Sequence, residues 1–109
     1  MNFSDLQQKL GQFAEEREWG QFHSPKNLSM ALAVEAAELL EHFQWLTQDE
    51  SASLDTNVLE EVEAEIADVQ IYLAMLAGRL NIDIGDAVNK KIEVNAKKYP
   101  VDDSLPKNV

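Results

Sequence analysis

Apolar side chains recur every three or four residues in four separate stretches of this 109-residue chain. In the first stretch the repeat consists of Phe3, Leu6, Leu10 and Phe13. This spacing is typical of one face of an amphipathic α-helix. Asp5 stands in the first turn, and Gly20 follows Trp19. We therefore predict a first helix that ends near Trp19.

The second stretch is almost wholly apolar and begins after Ser24-Pro25. Serine is a favoured N-cap and proline fits the first helical position, so we predict a helix from Pro25 to about Trp45. This helix is apolar around most of its circumference, yet it carries Glu35 and Glu38. Because removing a carboxylate from water costs several kcal/mol, these acids need a partner, a proton or a metal ion.

Residues 46–56 are polar and rich in helix-capping residue types, so we predict a loop with room for one helical turn. Asn57 with Glu60 three residues later resembles a capping box. A third helix is expected to follow it and to end between Gly78 and Leu80.

Asp83 is a suitable cap for a fourth helix, which Pro100 would end. Its apolar positions are Ala87, Val88, Ile92 and Tyr99. We find no repeat, low-complexity tract or convincing strand. The pattern predicts an all-α fold of four helices, with residues 1–100 as a single domain and residues 101–109 as a tail.

Acidic residues share one stripe of the third helix with an aromatic residue, and their spacing is i, i+4, i+7 and i+11. These residues are Glu61, Glu65, Asp68 and Tyr72. The adjoining apolar stripe contains Val62, Ile66, Val69, Leu73 and Leu76. The acids are therefore expected at the edge of the core.

If the second and third helices pack antiparallel, Glu35, Glu38, Glu65 and Asp68 can aim four carboxylates at one point. An all-oxygen ligand set favours a hard cation, either Mg²⁺ or Mn²⁺. Acid pairs at this spacing also occur on solvated helix faces, so spacing alone leaves both interpretations open. The apolar surroundings of the first pair favour the metal site.

The formal net charge is −11 and the isoelectric point is near 4.4. This charge argues against a nucleic-acid polymer as partner, because such binding depends on phosphate neutralisation by Lys and Arg. The absence of Cys excludes disulfides, thiolate metal sites and cysteine nucleophiles. We see neither a signal peptide nor a membrane span, and we expect a soluble, cytoplasmic protein without a membrane partner.

Four segments, in order and at compatible spacing, resemble one known family over nearly the whole chain. They are EREWGQFHSPKNL, VEAAELLEHFQW, AEIADVQIYL and KIEVNAKKYP. The family is that of the MazG-like nucleoside triphosphate pyrophosphohydrolases, and the resemblance is strongest to the small branch that includes dCTP pyrophosphatase. Agreement of all four segments is far more specific than either acidic pair.

The resemblance implies a MazG-like helical bundle that hydrolyses a (d)NTP to the (d)NMP and pyrophosphate. It implies catalysis by metal-activated water, with Mg²⁺, or Mn²⁺ as a substitute, held by Glu35, Glu38, Glu65 and Asp68. A deoxynucleoside triphosphate such as dCTP is the expected substrate. The general base stays open, and Glu61 is a candidate for orienting a ligand.

The resemblance also implies substrate contacts outside the acidic set. KIEVNAKKYP would place Lys91, Asn95 and Lys98 at phosphate or sugar oxygens, although basic residues near a helix C-terminus are favoured by its dipole in any case. The aromatic residues expected around the base are Trp19, Trp45, Tyr72 and Tyr99, for which core packing is the alternative. His23 and Lys26 flank the Ser24-Pro25 cap and would lie near the nucleotide. His42 matches no ligand of the family, and we expect it to have a supporting or structural role.

The same resemblance implies a homodimer, or a homotetramer built as a dimer of dimers, with the substrate pocket at a subunit interface. A second helix that is apolar on most sides also favours assembly. The main alternative function is a non-catalytic acidic binding or assembly module. A di-iron bundle lacks the Glu-x-x-His motif it needs, because Leu39 stands three residues before His42. A histidine phosphorelay fits poorly, because acids accompany His42 on an otherwise apolar helix.

Overall fold

The computed structural model describes residues 1–102, and every regular element within them is helical. The elements are α1 (Phe3–Glu16), a 3₁₀ helix (Trp19–Gln21), α2 (Pro25–Glu41), α3 (Gln48–Ser51), α4 (Thr56–Arg79) and α5 (Ile84–Lys98). The all-α prediction is confirmed, and the four predicted helices correspond to α1, α2, α4 and α5. Most of the predicted tail, residues 103–109, lies outside the described residues.

Two of the predicted helix starts are fixed by side-chain caps. The Ser24 hydroxyl accepts a hydrogen bond from the Asn27 N–H at 3.1 Å, and Pro25 occupies the first turn of α2. The Asp83 carboxylate accepts from the Asp86 N–H at 2.9 Å at the start of α5. Each cap satisfies an N–H that has no partner inside its helix.

The predicted ends of α1 and α2 were too late in the chain. Helix α1 ends at Glu16 because Glu18 adopts a left-handed conformation, with φ of 56°, and Trp19 starts the separate 3₁₀ helix. Helix α2 ends at Glu41, after which the Phe43 N–H donates to the Leu40 carbonyl, three residues back. Such tighter bonds turn the chain away from the helix axis.

The predicted capping box at Asn57 was wrong. Helix α4 starts at Thr56 with Asp55 as the N-cap, and that side chain makes no capping bond. The capping box lies at the helical turn expected in the loop. There the Thr47 hydroxyl accepts from the Glu50 N–H at 3.1 Å, and the Glu50 carboxylate accepts from the Thr47 N–H at 2.9 Å.

Helix α4 is the central element, because both α2 and α1 pack against it, and α5 packs against α1. A small core joins Ala74, Ala77 and Ile84, with Leu6 and Leu10 of α1 packed on it. Leu28 of α2 and Val62 of α4 are also buried. Helix α4 therefore contacts α2, which carries Glu35 and Glu38, and α1, which supplies apolar side chains to the core.

Apolar faces of three helices remain open in the single chain. The predicted apolar stripe of α4 is only partly buried, since Val62 is buried while Ile66 is 55% and Leu73 is 39% exposed. The exposed apolar residues of α2 include Met30, Val34 and Leu40, and those of α5 include Val88, Ile92 and Val94. One chain therefore does not close the four predicted helices into a fully covered bundle. Within residues 1–102, no helix is both long and apolar enough to cross a membrane.

Candidate functional site

Three carboxylates meet where α2 packs against α4. Glu35, Glu38 and Glu65 each offer one oxygen, and these oxygens lie within 4.8 Å of one another. The i, i+3 spacing of the two α2 acids places both on the side of the helix that faces α4. All three are half-buried rather than fully buried, so the site is reachable by a ligand from solvent.

Two oxygens of this trio lack the partners that burial normally demands. Within residues 1–102, Glu35 Oε2 and Glu65 Oε2 are withdrawn from solvent and have no hydrogen-bond partner. A buried acceptor of this kind is destabilising unless a proton or a cation compensates it. Opposite oxygens on an octahedral Mg²⁺ lie about 4.2 Å apart, given bonds of about 2.1 Å. The trio therefore has the ligand type that a hard divalent cation requires, and its oxygens, which lie within 4.8 Å of one another, need only a small approach to reach such separations.

The electrostatics of the site also favour binding of a proton or a cation by these carboxylates. The pKa of the Glu35 carboxyl is raised from 4.5 to about 7, mainly by burial. A hydrogen bond with Glu38 and repulsion from Glu38 and Asp68 add to this effect. Burial and the charge of Glu38 also raise the pKa of Glu65. The metal-free site thus tends to hold a proton near neutral pH, and a divalent cation would replace it.

Asp68, the fourth predicted ligand, lies outside the trio and borders it. Its charge contributes to the raised pKa values of both Glu35 and Glu65. Its half-buried side chain also lines a cavity of about 410 Å³ between α1, the 3₁₀ helix and α4. Asp68 therefore connects the acidic trio with this cavity, which we call the aromatic cavity.

Three of the residues predicted to bind the substrate line the aromatic cavity: Trp19, His23 and Tyr72. Trp19 is held by an edge-on contact with Phe13, with ring centroids 5.4 Å apart, and its ring centroid lies 5.7 Å from that of His23. Tyr72 lies one helical turn from Asp68. The acidic stripe of α4 therefore continues to the aromatic side chains that line this cavity.

Sequence reasoning missed the residues that support the aromatic side chains of this cavity. The Arg17 guanidinium lies 3.5 Å from the centroid of the Phe13 ring and donates to the Phe13 carbonyl at 3.1 Å. The i, i+4 spacing of Phe13 and Arg17 is the signal that would have indicated this contact. Lys9 lines the same cavity, and Arg79 lines an adjoining cavity of about 750 Å³ that shares His23. Both cations were also missed.

The remaining predicted substrate contacts are absent from the linings of both cavities. They are Lys26, Trp45, Lys91, Asn95, Lys98 and Tyr99. All six are exposed in the single chain. Trp45 follows the end of α2 and is 87% exposed, and Tyr99 ends α5 and is 69% exposed. Their roles stay predictions.

Residues 30–107 match the MazG-like family. The chain belongs to this family. It is 41% identical over 98 residues to dCTP pyrophosphatase 1 of Homo sapiens and 40% identical over 99 residues to dCTP pyrophosphatase 1 of Mus musculus. These matches cover 88% and 89% of this MazG-like chain, which spans 58% of the length of each relative.

A solved structure extends the comparison to the fold. The crystal structure of a pyrophosphatase from Archaeoglobus fulgidus superposes with a TM-score of 0.79 at 44% sequence identity. The match covers 90% of this chain and 92% of that one. The helical architecture of this MazG-like chain is therefore shared over almost the full length of that protein.

The raised pKa of Glu35 predicts how the stability of the metal-free protein depends on pH. Folding raises this pKa from 4.5 to about 7, so the folded state holds the proton more tightly than the unfolded chain does. The resulting stabilisation is fully present below pH 4.5 and is lost as the pH rises through about 7. We expect the urea midpoint, measured in EDTA, to fall across this interval.

The other carboxylates also titrate at the acid end of this interval, so the comparison needs matched variants. Glu35→Gln should flatten the fall in midpoint, whereas Glu63→Gln, an exposed acid of the same helix as Glu65, should preserve it. Equal pH dependence in Glu35→Gln and the wild type would contradict the prediction.

Proposed function

We propose that the protein is a metal-dependent pyrophosphohydrolase that cleaves a (d)NTP to the (d)NMP and pyrophosphate. The observation that carries the proposal is the carboxylate trio with two unpartnered buried oxygens, connected through Asp68 to a cavity walled by aromatic side chains. The similarity to dCTP pyrophosphatases and to an archaeal pyrophosphatase supports this reaction class.

Glu35, Glu38 and Glu65 would hold a divalent cation, with Asp68 beside them. Four carboxylates and no thiolate or imidazole ligand favour Mg²⁺, with Mn²⁺ as a substitute. When bound, such a cation offsets the charge of the phosphate oxygens and lowers the pKa of a water molecule. Water supplied in this way would hydrolyse the phosphoanhydride bond between the α and β phosphates, so this chemistry would require no protein nucleophile.

The aromatic cavity would hold the nucleoside. A volume of about 410 Å³ lies within the usual range of small-molecule sites. Trp19 and Tyr72 offer faces on which a base can stack, and stacking of this kind accepts any base. Lys9 and His23 line the same cavity and supply polar or charged contacts. A dNTP is our proposed substrate class, with dCTP as its first member because the relatives are named for it.

A non-catalytic assembly module is the alternative function. The exposed apolar faces of α2 and α5 would suit it equally well. Such a module has no need for carboxylate oxygens that are withdrawn from solvent without partners, which destabilise a protein that binds no cation. The catalytic proposal accounts for these oxygens.

The apolar faces support a second proposal, that the active unit is a homodimer or a tetramer made of two dimers. Val34 and Leu40 of α2, and Ile66 of α4, are each more than half exposed. A second chain that covered them would contact the two helices that carry the acidic trio, and we propose that its KIEVNAKKYP segment, which includes Lys91, completes the neighbouring site. Repulsion between chains of charge −11 opposes assembly, but charges further apart than about 8 Å are screened at physiological salt.

Product analysis tests the reaction directly. Incubation with a panel of dNTPs and NTPs in Mg²⁺ should release pyrophosphate and the nucleoside monophosphate, with dCTP among the best substrates, and EDTA should abolish turnover. Release of inorganic phosphate and a nucleoside diphosphate, or turnover that survives EDTA, would contradict the proposal. A kcat/KM for dCTP below that of most other nucleotides would reject the substrate preference alone.

Isosteric variants test the carboxylates. Glu38→Gln and Asp68→Asn should each lower kcat by about 100-fold or more, because a ligand and its charge are lost with almost no change in volume. Far-UV circular dichroism should remain that of the wild type. Glu63→Gln removes the same charge from an exposed position of α4 and should retain activity. Wild-type turnover in Glu38→Gln would remove that residue from the site.

Light scattering tests the assembly. At micromolar concentration with Mg²⁺ present, we expect a mass of two or four times the 12.3 kDa of one chain. Val34→Glu should lower that mass, because a carboxylate in an apolar interface is strongly unfavourable. A fully active species of 12.3 kDa would reject the dimer and the shared site together.

A further inference from the structure

His42 lies between two acids of α4 at the end of α2. Its Nδ1 is 3.7 Å from Glu61 Oε2, and its Nε2 is 4.0 Å from Glu65 Oε1. The side chain of His42 is 20% exposed, that of Glu65 is 19% exposed and that of Glu61 is 65% exposed. The imidazole is therefore largely enclosed, with one nitrogen toward solvent-exposed Glu61 and the other toward the acidic trio.

The two oxygens of Glu65 have different surroundings. Oε1 is the oxygen nearest to His42, whereas Oε2 is withdrawn from solvent and has no hydrogen-bond partner in the described part of the chain. A carboxylate whose plane rotates freely presents no oxygen at a fixed point. A donor fixed on the Oε1 side favours one orientation, in which Oε2 is the oxygen left for a ligand.

The separations of 3.7 and 4.0 Å are in the ion-pair range and exceed a direct hydrogen bond. A shift of about 1 Å in the imidazole or carboxylate brings Nε2 to hydrogen-bond distance from Oε1. His42 follows Glu38 by four residues, so the two side chains lie on the same side of this chain segment. One helix end thus carries both a carboxylate of the trio and a donor for the carboxylate that faces it.

We propose that His42 is a positioning residue for the metal site. Its Nε2–H donates to Glu65 Oε1 and leaves Oε2 of that carboxylate for the ligand, and a second N–H, at Nδ1, donates to Glu61, so the ring is held from both sides. The inference rests on the proposed metal site and deepens it. Groups that hold metal-ligating carboxylates by hydrogen bonds commonly change metal affinity by about 10- to 100-fold when they are removed.

Calorimetric titration of the full chain with Mg²⁺ alone tests the proposal without any substrate. His42→Leu, which keeps similar bulk without a donor, should weaken Mg²⁺ binding by about 10-fold or more. His42→Gln retains an N–H donor and should weaken it less. The urea midpoint in EDTA should be nearly the same for both variants and the wild type, because the expected loss is in ligand orientation.

The outcomes separate this inference from the metal site itself. If the wild type shows no Mg²⁺ binding, or if Glu38→Gln binds as the wild type does, the metal site is wrong and the inference fails with it. If the wild type binds and His42→Leu binds equally well, only the positioning role is overturned. A lower urea midpoint for His42→Leu with unchanged Mg²⁺ affinity would identify His42 as a simple tether between helices, which also overturns it.

A second pair of variants decides the matter if His42→Leu does not fold. Glu61→Gln removes the carboxylate beside Nδ1, whereas Glu60→Gln removes the same charge from the neighbouring exposed residue. Weaker Mg²⁺ binding in Glu61→Gln than in Glu60→Gln supports the proposed arrangement. Equal affinities in the two variants reject it, since long-range charge alone would then explain any change from the wild type.

Discussion

Repulsion among carboxylates at the contact between α2 and α4 is the constraint on which the site depends. Burial and the charge of Glu38 raise the pKa of Glu65, and Asp68 adds to the same effect at Glu35. Like charges at this distance destabilise the helix contact unless something positive lies between them. The apolar packing around Leu28 and Val62 must hold these helices together against that repulsion. A ligand that neutralised these acids would therefore stabilise the contact between α2 and α4.

Helix α4 turns this local constraint into an organised site. It packs against both α2 and α1, its Glu65 meets the two acids of α2, and Asp68 and Tyr72 line the cavity beside α1. A ligand that reached from the acidic trio into the aromatic cavity would have a charged end and a flat end, as a nucleotide does. The Phe13 and Arg17 contacts hold Trp19 at the far side of that cavity.

Open apolar surface is the other general feature of the chain. A chain this short has little interior, and the described residues contain only a small buried core. The exposed apolar residues lie on α2, α4 and α5, and the first two of these helices also carry the acids. Any contact that covers those faces would therefore also restrain the helices that position the carboxylates, which links the proposed assembly to the proposed chemistry.

The sequence by itself determined the all-α class, the four long helices, the caps at Ser24 and Asp83, and the acidic pairs, because helical periodicity and capping are local properties. Only the tertiary structure decided that Glu65 joins Glu35 and Glu38 while Asp68 borders them, since the distance between helices depends on packing. The early ends of α1 and α2 depend on a left-handed Glu18 and on a tighter turn after Glu41, which the spacing of apolar residues does not reveal. The sequence also could not predict which apolar residues are buried. Val62 and Ile66 share one helical stripe, but only contact with another helix determines which of them is covered.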